Sequence, residues 1–287
     1  MSYLKKTIYR IKTEYTSFQA QRRIITVLKN QHKPLSAIFY TVDKCASTFV
    51  PKLFDVILKG SDYQLIDYEW AIERLGDKFI CETPFRLHLK NFFEKNSDDL
   101  YSPRGNIYGP LRIPIDFPGR NRFKHIFFLR DPRDVLVSDY FSVAYTHSLP
   151  RNNVVRDECI KIRNKALEQG IDNYVLEEAR EWLVPHYHQC RQLRETSEKH
   201  IYLKYDLFSA NTTEFIKKIC DFLELNPAQE NIMALAEEAN PVQKTEVLQH
   251  KRSGKTGQYL EKLQPDTIEQ LNLLFSENLS YWEFGPS

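Results

Sequence analysis

Lys44 stands in the stretch DKCAST, between an apolar, β-rich run (Ile38, Phe39, Tyr40) and a helical pattern that carries Phe49, Leu53, Phe54, Ile57 and Leu58. A strand, a short polar loop and a helix start aim main-chain N–H groups and the positive helix end at one point, which suits an anion. Lys44 adds a movable charge, Ser47 and Thr48 add hydroxyl donors, and Cys45 and Ala46 are small enough to let a phosphate approach. The glycines of the triphosphate loop G-x-x-x-x-G-K-[ST] are absent. A capped turn with an exposed lysine is an equally ordinary reading of these six residues taken alone.

Two more stretches carry the same kind of chemistry. In FFLRDPRDVLVS, Arg130 closes an apolar run and Ser138 follows in the next helical segment, about two turns on. A guanidinium at a strand end and a hydroxyl from a helix can converge on a second anion; the plainer reading pairs Arg130 with Asp131 or Asp134. HKRSGKTGQY (250–259) gathers Lys251, Arg252 and Lys255 with Gly254 and Gly257. Such a basic, flexible loop can fold its amides over a phosphate, or can simply be solvated.

The elements that must position these residues follow from the apolar spacing. SAIFYTV reads as the first core strand, QLIDY (64–68) and KFIC (78–81) as short ones, and HIYLKY (200–205) as another. KHIFFLR (124–130) is the strongest strand, and its unbroken apolar run predicts burial on both faces, as in a parallel sheet. The helix that follows it has Asp131 as N-cap, Pro132 in its first turn and Asp134 near its positive end. Residues 96–121, rich in Ser, Pro, Gly, Asn and Arg, read as a long surface loop with a small island, NIYGPLR. Helical patterns cover 153–196 with breaks near Gly170 and Pro185, then 212–224, a segment after Pro227, and 265–277; residues 240–258 lack periodicity. Strands alternating with helices predict one α/β domain over 1–287 with a central parallel sheet flanked by helices. A basic helical extension (1–34) packs on it, and the 240–258 loop lies over the ligand.

Composition sets the outer bounds. Apolar residues make up 42% and charged residues 27% of the 287, which is ordinary for a globular protein. A net charge of +2 argues against nucleic acid or an anionic membrane as the main partner. Five cysteines, with no C-x-x-C pair, suit free thiols in a reducing compartment. No apolar run reaches the length of a membrane span, and the N-terminus lacks a signal-peptide pattern. The expectation is a cytoplasmic protein, with a homodimer as one open state.

Together, the three stretches resemble the sulfotransferases that use 3′-phosphoadenosine 5′-phosphosulfate (PAPS). TVDKCASTF (41–49) resembles the family's T-Y-P-K-S-G-T-T-W. RDPRDVLVS (130–138) closely resembles R-[ND]-P-[RK]-D-x-x-V-S, and RSGKTGQY (252–259) resembles R-K-G-x-x-G-x-W. The order and spacing agree over about residues 36–280. The departures are Asp43 for Pro, Cys45 for Ser, Ala46 for Gly, Phe49 for Trp, Ser253 for Lys and Tyr259 for Trp. The resemblance implies that Lys44, Cys45, Ala46, Ser47, Thr48 and Phe49 hold the 5′-phosphosulfate, with Lys44 beside the bridging oxygen and Phe49 against the adenine. It places Arg130, Ser138, Arg252, Ser253 and Gly254 at the 3′-phosphate, and Tyr205 also at the adenine. It implies a phosphosulfate-binding P-loop without a metal, the product adenosine 3′,5′-bisphosphate (PAP), and a small-molecule acceptor sulfated on a hydroxyl or amine. Asp43 is the odd member, since its charge must turn away from the donor.

An attacking hydroxyl or amine must lose a proton, so a base is expected. Tyr108 falls where many relatives carry a histidine. Glu69 and His147 are the leading replacements, with Asp67 and His88 behind them, and the acceptor pocket is expected from 67–112 and 145–190. Cys45 at a helix start beside Lys44 is either a small filler or an oxidation-sensitive thiol. Two rival readings are a P-loop-like kinase or NTPase, which would need Ser or Thr directly after the lysine, and a non-catalytic binder of adenosine 3′,5′-bisphosphate.

Overall fold

The computed structural model describes residues 33–46, 48–75, 83–149, 153–239 and 256–285. The expected N-terminal helix, the expected strand at 78–81, Ser47 and most of the 240–258 loop lie outside those residues.

Five parallel strands form the sheet, in the order β2-β3-β1-β4-β5: β1 (Ala37–Thr41), β2 (Gln64–Ile66), β3 (Asn106–Leu111), β4 (Lys124–Leu129) and β5 (His200–Lys204). Helices connect them: α1 (Phe49–Ile57), α2 (Tyr68–Leu75) and α3 (Thr83–Lys95) precede β3, while α4 (Pro132–Phe141), α5 (Asn153–Glu178) and α6 (Val184–Glu195) separate β4 from β5. After β5 comes α7 (Thr212–Leu223). The central strands β1 and β4 are buried along their whole length, as the unbroken apolar run in β4 requires, while β2 and β5 are the half-exposed edges. Phe39, Phe128, Phe208 and Phe215 pack edge-on or tilted across one face. The other face holds Tyr40, stacked on Phe127 and His125.

Two expectations change. NIYGPLR is not an island in a surface loop but β3, inserted between β1 and β2. The Gly and Pro that read as loop signals mark the point where β3 shifts register against β1, and a Cβ at Gly109 would meet the Phe39 carbonyl oxygen at 2.6 Å. QLIDY is strand only as far as Ile66. The Asp67 carboxylate accepts the Trp70 N–H at 2.8 Å and starts α2, so Glu69 rides on a helix.

The chain leaves β1, reaches the sheet edge at β2, returns to β3 and then crosses to β4 on the other side of β1. That reversal opens a crevice at the carboxyl ends of the strands, the usual place for a ligand in an open α/β sheet. Thr41, Leu111, Leu129 and Lys204 are the last strand residues there, so DKCAST, Arg112, Arg130 and Tyr205 all issue into one region.

Candidate active site

The turn after β1 is sharp. Lys44 (φ 65°) and Ala46 (φ 48°) both adopt left-handed backbone, which costs a residue with a Cβ about 1–2 kcal/mol. The Phe49 and Val50 amides donate to the Ala46 carbonyl at 2.8 and 3.3 Å and close the turn. Phe49 N–H is therefore engaged within the loop rather than turned to a ligand. Thr48 makes no side-chain cap on α1 and is exposed. Since the family places glycine at position 46, Ala46→Gly is expected to stabilise the protein by roughly 0.5–1 kcal/mol, the left-handed penalty less the extra freedom of an unfolded glycine. Urea unfolding measures it; a loss of stability would mean that the turn is not left-handed at Ala46.

Arg130 ties this turn to the end of β4. Its Nη1 donates to the Lys44 carbonyl at 3.1 Å, and its guanidinium lies over the Tyr205 ring at 4.5 Å, so three strand ends meet on one side chain. Asp134, fully buried on α4, lies 3.9 Å from Arg130 and accepts the amides of Gly257 at 2.8 Å and Tyr259 at 3.2 Å. Those contacts anchor the end of the basic loop beside Arg130. Asp131 caps α4 as expected and also pairs with Arg133, whose guanidinium lies over the Tyr259 ring at 4.1 Å. Phe49 packs on Phe208 (ring centroids 5.1 Å), one turn along from Tyr205. Ser138 is half-buried on α4, next to Asp139. Ser47, Arg252, Ser253 and Gly254 lie outside the described residues.

Cys45 is a filler. Its side chain is buried, its thiol donates to the Phe128 carbonyl at 3.5 Å, and burial pushes it far above the usual thiol range. The low-pKa, oxidation-sensitive alternative fails on that desolvation.

Asp43 turns away from the loop, as its charge requires. It pairs with Arg86 from α3 and with Arg112 Nε at 3.3 Å. Burial alone would raise its pKa, but Arg86, Arg112 and Lys44 overcome it and hold the carboxyl well below the normal range. Arg112 in turn bridges to Glu69, Nη1 to Oε2 at 3.4 Å. Glu69 is fully buried, and its Oε1 accepts the amides of Arg112 at 2.7 Å and Ile113 at 3.1 Å. Burial, opposed by Arg112, lifts its pKa to about 7. The role of base expected for Glu69 does not fit: its carboxylate is spent on backbone amides and no solvent reaches it. What it does is fix the Arg112–Ile113 segment, and through Arg112 the orientation of Asp43. Tyr108 is also sealed, in an aromatic cluster with Tyr68, Tyr101 and Phe123, its hydroxyl bonded to Ser102 and Asn106. His88 is exposed on α3 and Asp67 caps α2. His147 is half-buried beyond α4, its amide bonded to Ser142 and its carbonyl to Arg163.

Lys44 faces the other carboxylate. Its Nζ lies 3.7 Å from Asp139 Oδ1, and the Tyr174 hydroxyl donates to Asp139 Oδ2 at 2.8 Å. Arg86, Arg112, Asp139 and Tyr174 were not legible as site residues. The one signal in the sequence was Asp43, an acid in a loop for anions, which demanded a cation without saying which.

This geometry fits a ligand with two phosphates: Lys44 and an uncapped helix start at β1, and Arg130 with Tyr205 at the ends of β4 and β5. No group of three or more His, Cys, Asp or Glu among the described residues could hold a metal ion, and none of their helices is long and apolar enough to cross a membrane.

The family model of the sulfotransferase domain matches residues 117–283, from just before β4 to Glu283. Sulfotransferase 2A6 of Mus musculus is 30% identical over 199 residues, and the aligned part spans 64% of this chain and 64% of that protein. Among solved structures, retinol dehydratase in complex with retinol and PAP superposes with a TM-score of 0.53 at 15% identity, over 86% of this chain and 82% of that one. Mouse sulfotransferase SULT7A1 complexed with PAP gives 0.50 at 14% identity, over 88% and 86%. At those identities the likeness is one of fold. The matched segment holds the Arg130 motif, and the sheet order brings the Lys44 turn, which precedes that segment, against the same arginine. By sequence match and by fold, the chain belongs to the sulfotransferase domain family.

Proposed function

We propose that the protein transfers the sulfuryl group of PAPS to a hydroxyl or amine of a small-molecule acceptor. The observation that carries this is the hydrogen bond from Arg130 to the Lys44 carbonyl, which sets two anion-binding groups side by side at the switch point of the sheet. Lys44, Thr48 and the amides of the β1 turn hold the 5′ end of the nucleotide. Arg130, Ser138 and the loop that Asp134 anchors hold the 3′-phosphate, and Tyr205 with Phe49 flanks the adenine. The donor, when bound, supplies an activated sulfuryl group whose leaving group is a phosphate. Lys44 stabilises the charge that grows on that phosphate, an interaction stronger in the transition state than before it.

Thermal unfolding with nucleotides tests the two-phosphate reading. Adenosine 3′,5′-bisphosphate at about 100 times its Kd should add about 2.7 kcal/mol to native-state stability, and raise Tm well beyond AMP or ATP at equal concentration. Equal shifts with AMP would remove the 3′-phosphate site. A magnesium-dependent preference for ATP would favour a kinase instead.

A further inference from the structure

Next to Lys44 the side chains close into a circuit. Lys44 faces Asp139 at 3.7 Å. The Asp139 carboxylate acts electrostatically on Glu178, one helical turn beyond the Tyr174 that bonds Asp139. Trp182 follows Glu178 by one helical turn, and its indole N–H favours the charged carboxylate. Arg86 lies over the Trp182 ring at 5.1 Å and pairs with Asp43, which returns the circuit to Lys44. His186 joins from α6, its ring 6.2 Å from Trp182. It is buried, and its Nε2 has no hydrogen-bond partner among the described residues.

Both carboxylates sit where a helix loosens. A π-helical turn, Ser142–Thr146, begins three residues after Asp139, and a second, Ala179–Leu183, begins directly after Glu178 and contains Trp182. Such turns are rare and gather at functional sites, because the extra residue re-aims the side chains beside it. Glu178 is half-buried, and the cation that feels its charge, Lys165, is itself bonded to Glu177 at 2.6 Å. It differs from Glu69, whose carboxylate is fully buried and bridged to Arg112: Glu178 is partly open, and it lies one turn from Tyr174 on the helix face that reaches Asp139.

We propose that Glu178 takes the proton of the acceptor, beside the Asp139 carboxylate that faces Lys44. This rests on the sulfuryl-transfer reading above. As the acceptor oxygen or nitrogen bonds to sulfur, the bond from sulfur to the bridging oxygen breaks. Its electron pair stays with the 5′-phosphate beside Lys44, and the acceptor proton passes to a Glu178 carboxylate oxygen and then to water. The surroundings tune Glu178 for this. Burial first, then the Asp139 carboxylate of α4, lift its pKa to about 7, with Glu181 and Glu177 on its own chain segment adding to the rise and the Trp182 N–H opposing it. A base near the working pH is the most effective. His186 is a poorer base, since burial and the Arg86 charge press its pKa down to about 3.

The test uses wild type, Glu178→Gln and Glu178→Asp with PAPS labelled in the sulfuryl group and three acceptors graded in acidity: 4-nitrophenol, 4-methylphenol and benzyl alcohol. The loss in Glu178→Gln should grow along that series and reach roughly 100-fold on benzyl alcohol, the low end for a positioned base. Wild-type kcat/KM should fall as the pH drops through about 7, where Glu178 becomes protonated, and Glu178→Gln should lose that limb. Glu178→Asp should recover part of the rate. A loss equal on all three acceptors, or a pH limb that survives in Glu178→Gln, overturns the assignment. So does a wild-type protein that uses 4-nitrophenol alone, since that acceptor ionises without help. The Tm shift with adenosine 3′,5′-bisphosphate separates the two levels. No shift in wild type means that the donor reading has failed, whereas equal shifts in all three proteins with unchanged acceptor dependence mean that only the base is elsewhere.

Discussion

Lys44→Ala is expected to lower sulfuryl transfer by roughly 100- to 1,000-fold, the cost of removing one positioned donor from developing charge. Nucleotide affinity should change far less. The argument is positional. Lys44 reaches the site from a left-handed turn that its side chain does not hold together: the bond to Arg130 uses its backbone carbonyl, and the turn is closed by the Phe49 and Val50 amides. Alanine removes the ammonium and leaves the frame. In the free protein that ammonium is balanced by Asp139 at 3.7 Å, so its full charge is released only when a stronger anion forms beside it. Single-turnover rates and equilibrium binding of adenosine 3′,5′-bisphosphate, measured on the same variant, separate the two effects. Intact turnover in Lys44→Ala, or a loss that appears only as weaker nucleotide binding, would remove Lys44 from the transition state. Lys44→Arg should keep binding and recover little rate, because a wide planar cation does not replace a point charge in a small turn.

Arg130→Ala should show the reverse pattern, with nucleotide affinity reduced by about 1.5–3 kcal/mol, the scale of a lost hydrogen bond to a charged group. That is roughly 10- to 100-fold in Kd. The side chain is almost wholly buried, lies over Tyr205 and supports the Lys44 carbonyl, so its loss removes a charge and loosens the turn at once. Asp134 keeps the Gly257 and Tyr259 amides, which limits the damage to folding. Arg130→Lys should recover only part of the affinity, because an ammonium cannot stack on Tyr205 and reach the Lys44 carbonyl in the same fork. Calorimetric titration with adenosine 3′,5′-bisphosphate, beside unfolding without ligand, distinguishes lost binding from lost stability. Unchanged affinity would place the 3′-phosphate elsewhere.

The sequence by itself determined the parts of the fold whose signals are local. β1 and β4 announce themselves because a strand buried on both faces carries consecutive apolar residues, as 37–40 and 126–129 do. The cap of α4 is fixed by Asp131 and Pro132, three consecutive residues from the strand end at Leu129 being enough to specify it. Lys44 and Arg130 could be singled out as candidates because a strand end followed by a helix start is a short-range arrangement that suits anions. What only the tertiary structure decided is everything that depends on neighbours far apart in the chain. NIYGPLR reads as loop because its Gly and Pro are local breakers. It is a strand because Ile38 and Ile66, 28 residues apart, offer it two partners on either side of Tyr108. Glu69 and Glu178 are both glutamates at helix positions of ordinary pattern. One is sealed under two backbone amides and a guanidinium, while the other is left partly open within reach of the Asp139 charge. Periodicity reports which face of a helix is apolar, but a carboxylate's chemistry is set by desolvation and by charges brought to it from other elements, and those distances exist only once the sheet order is fixed.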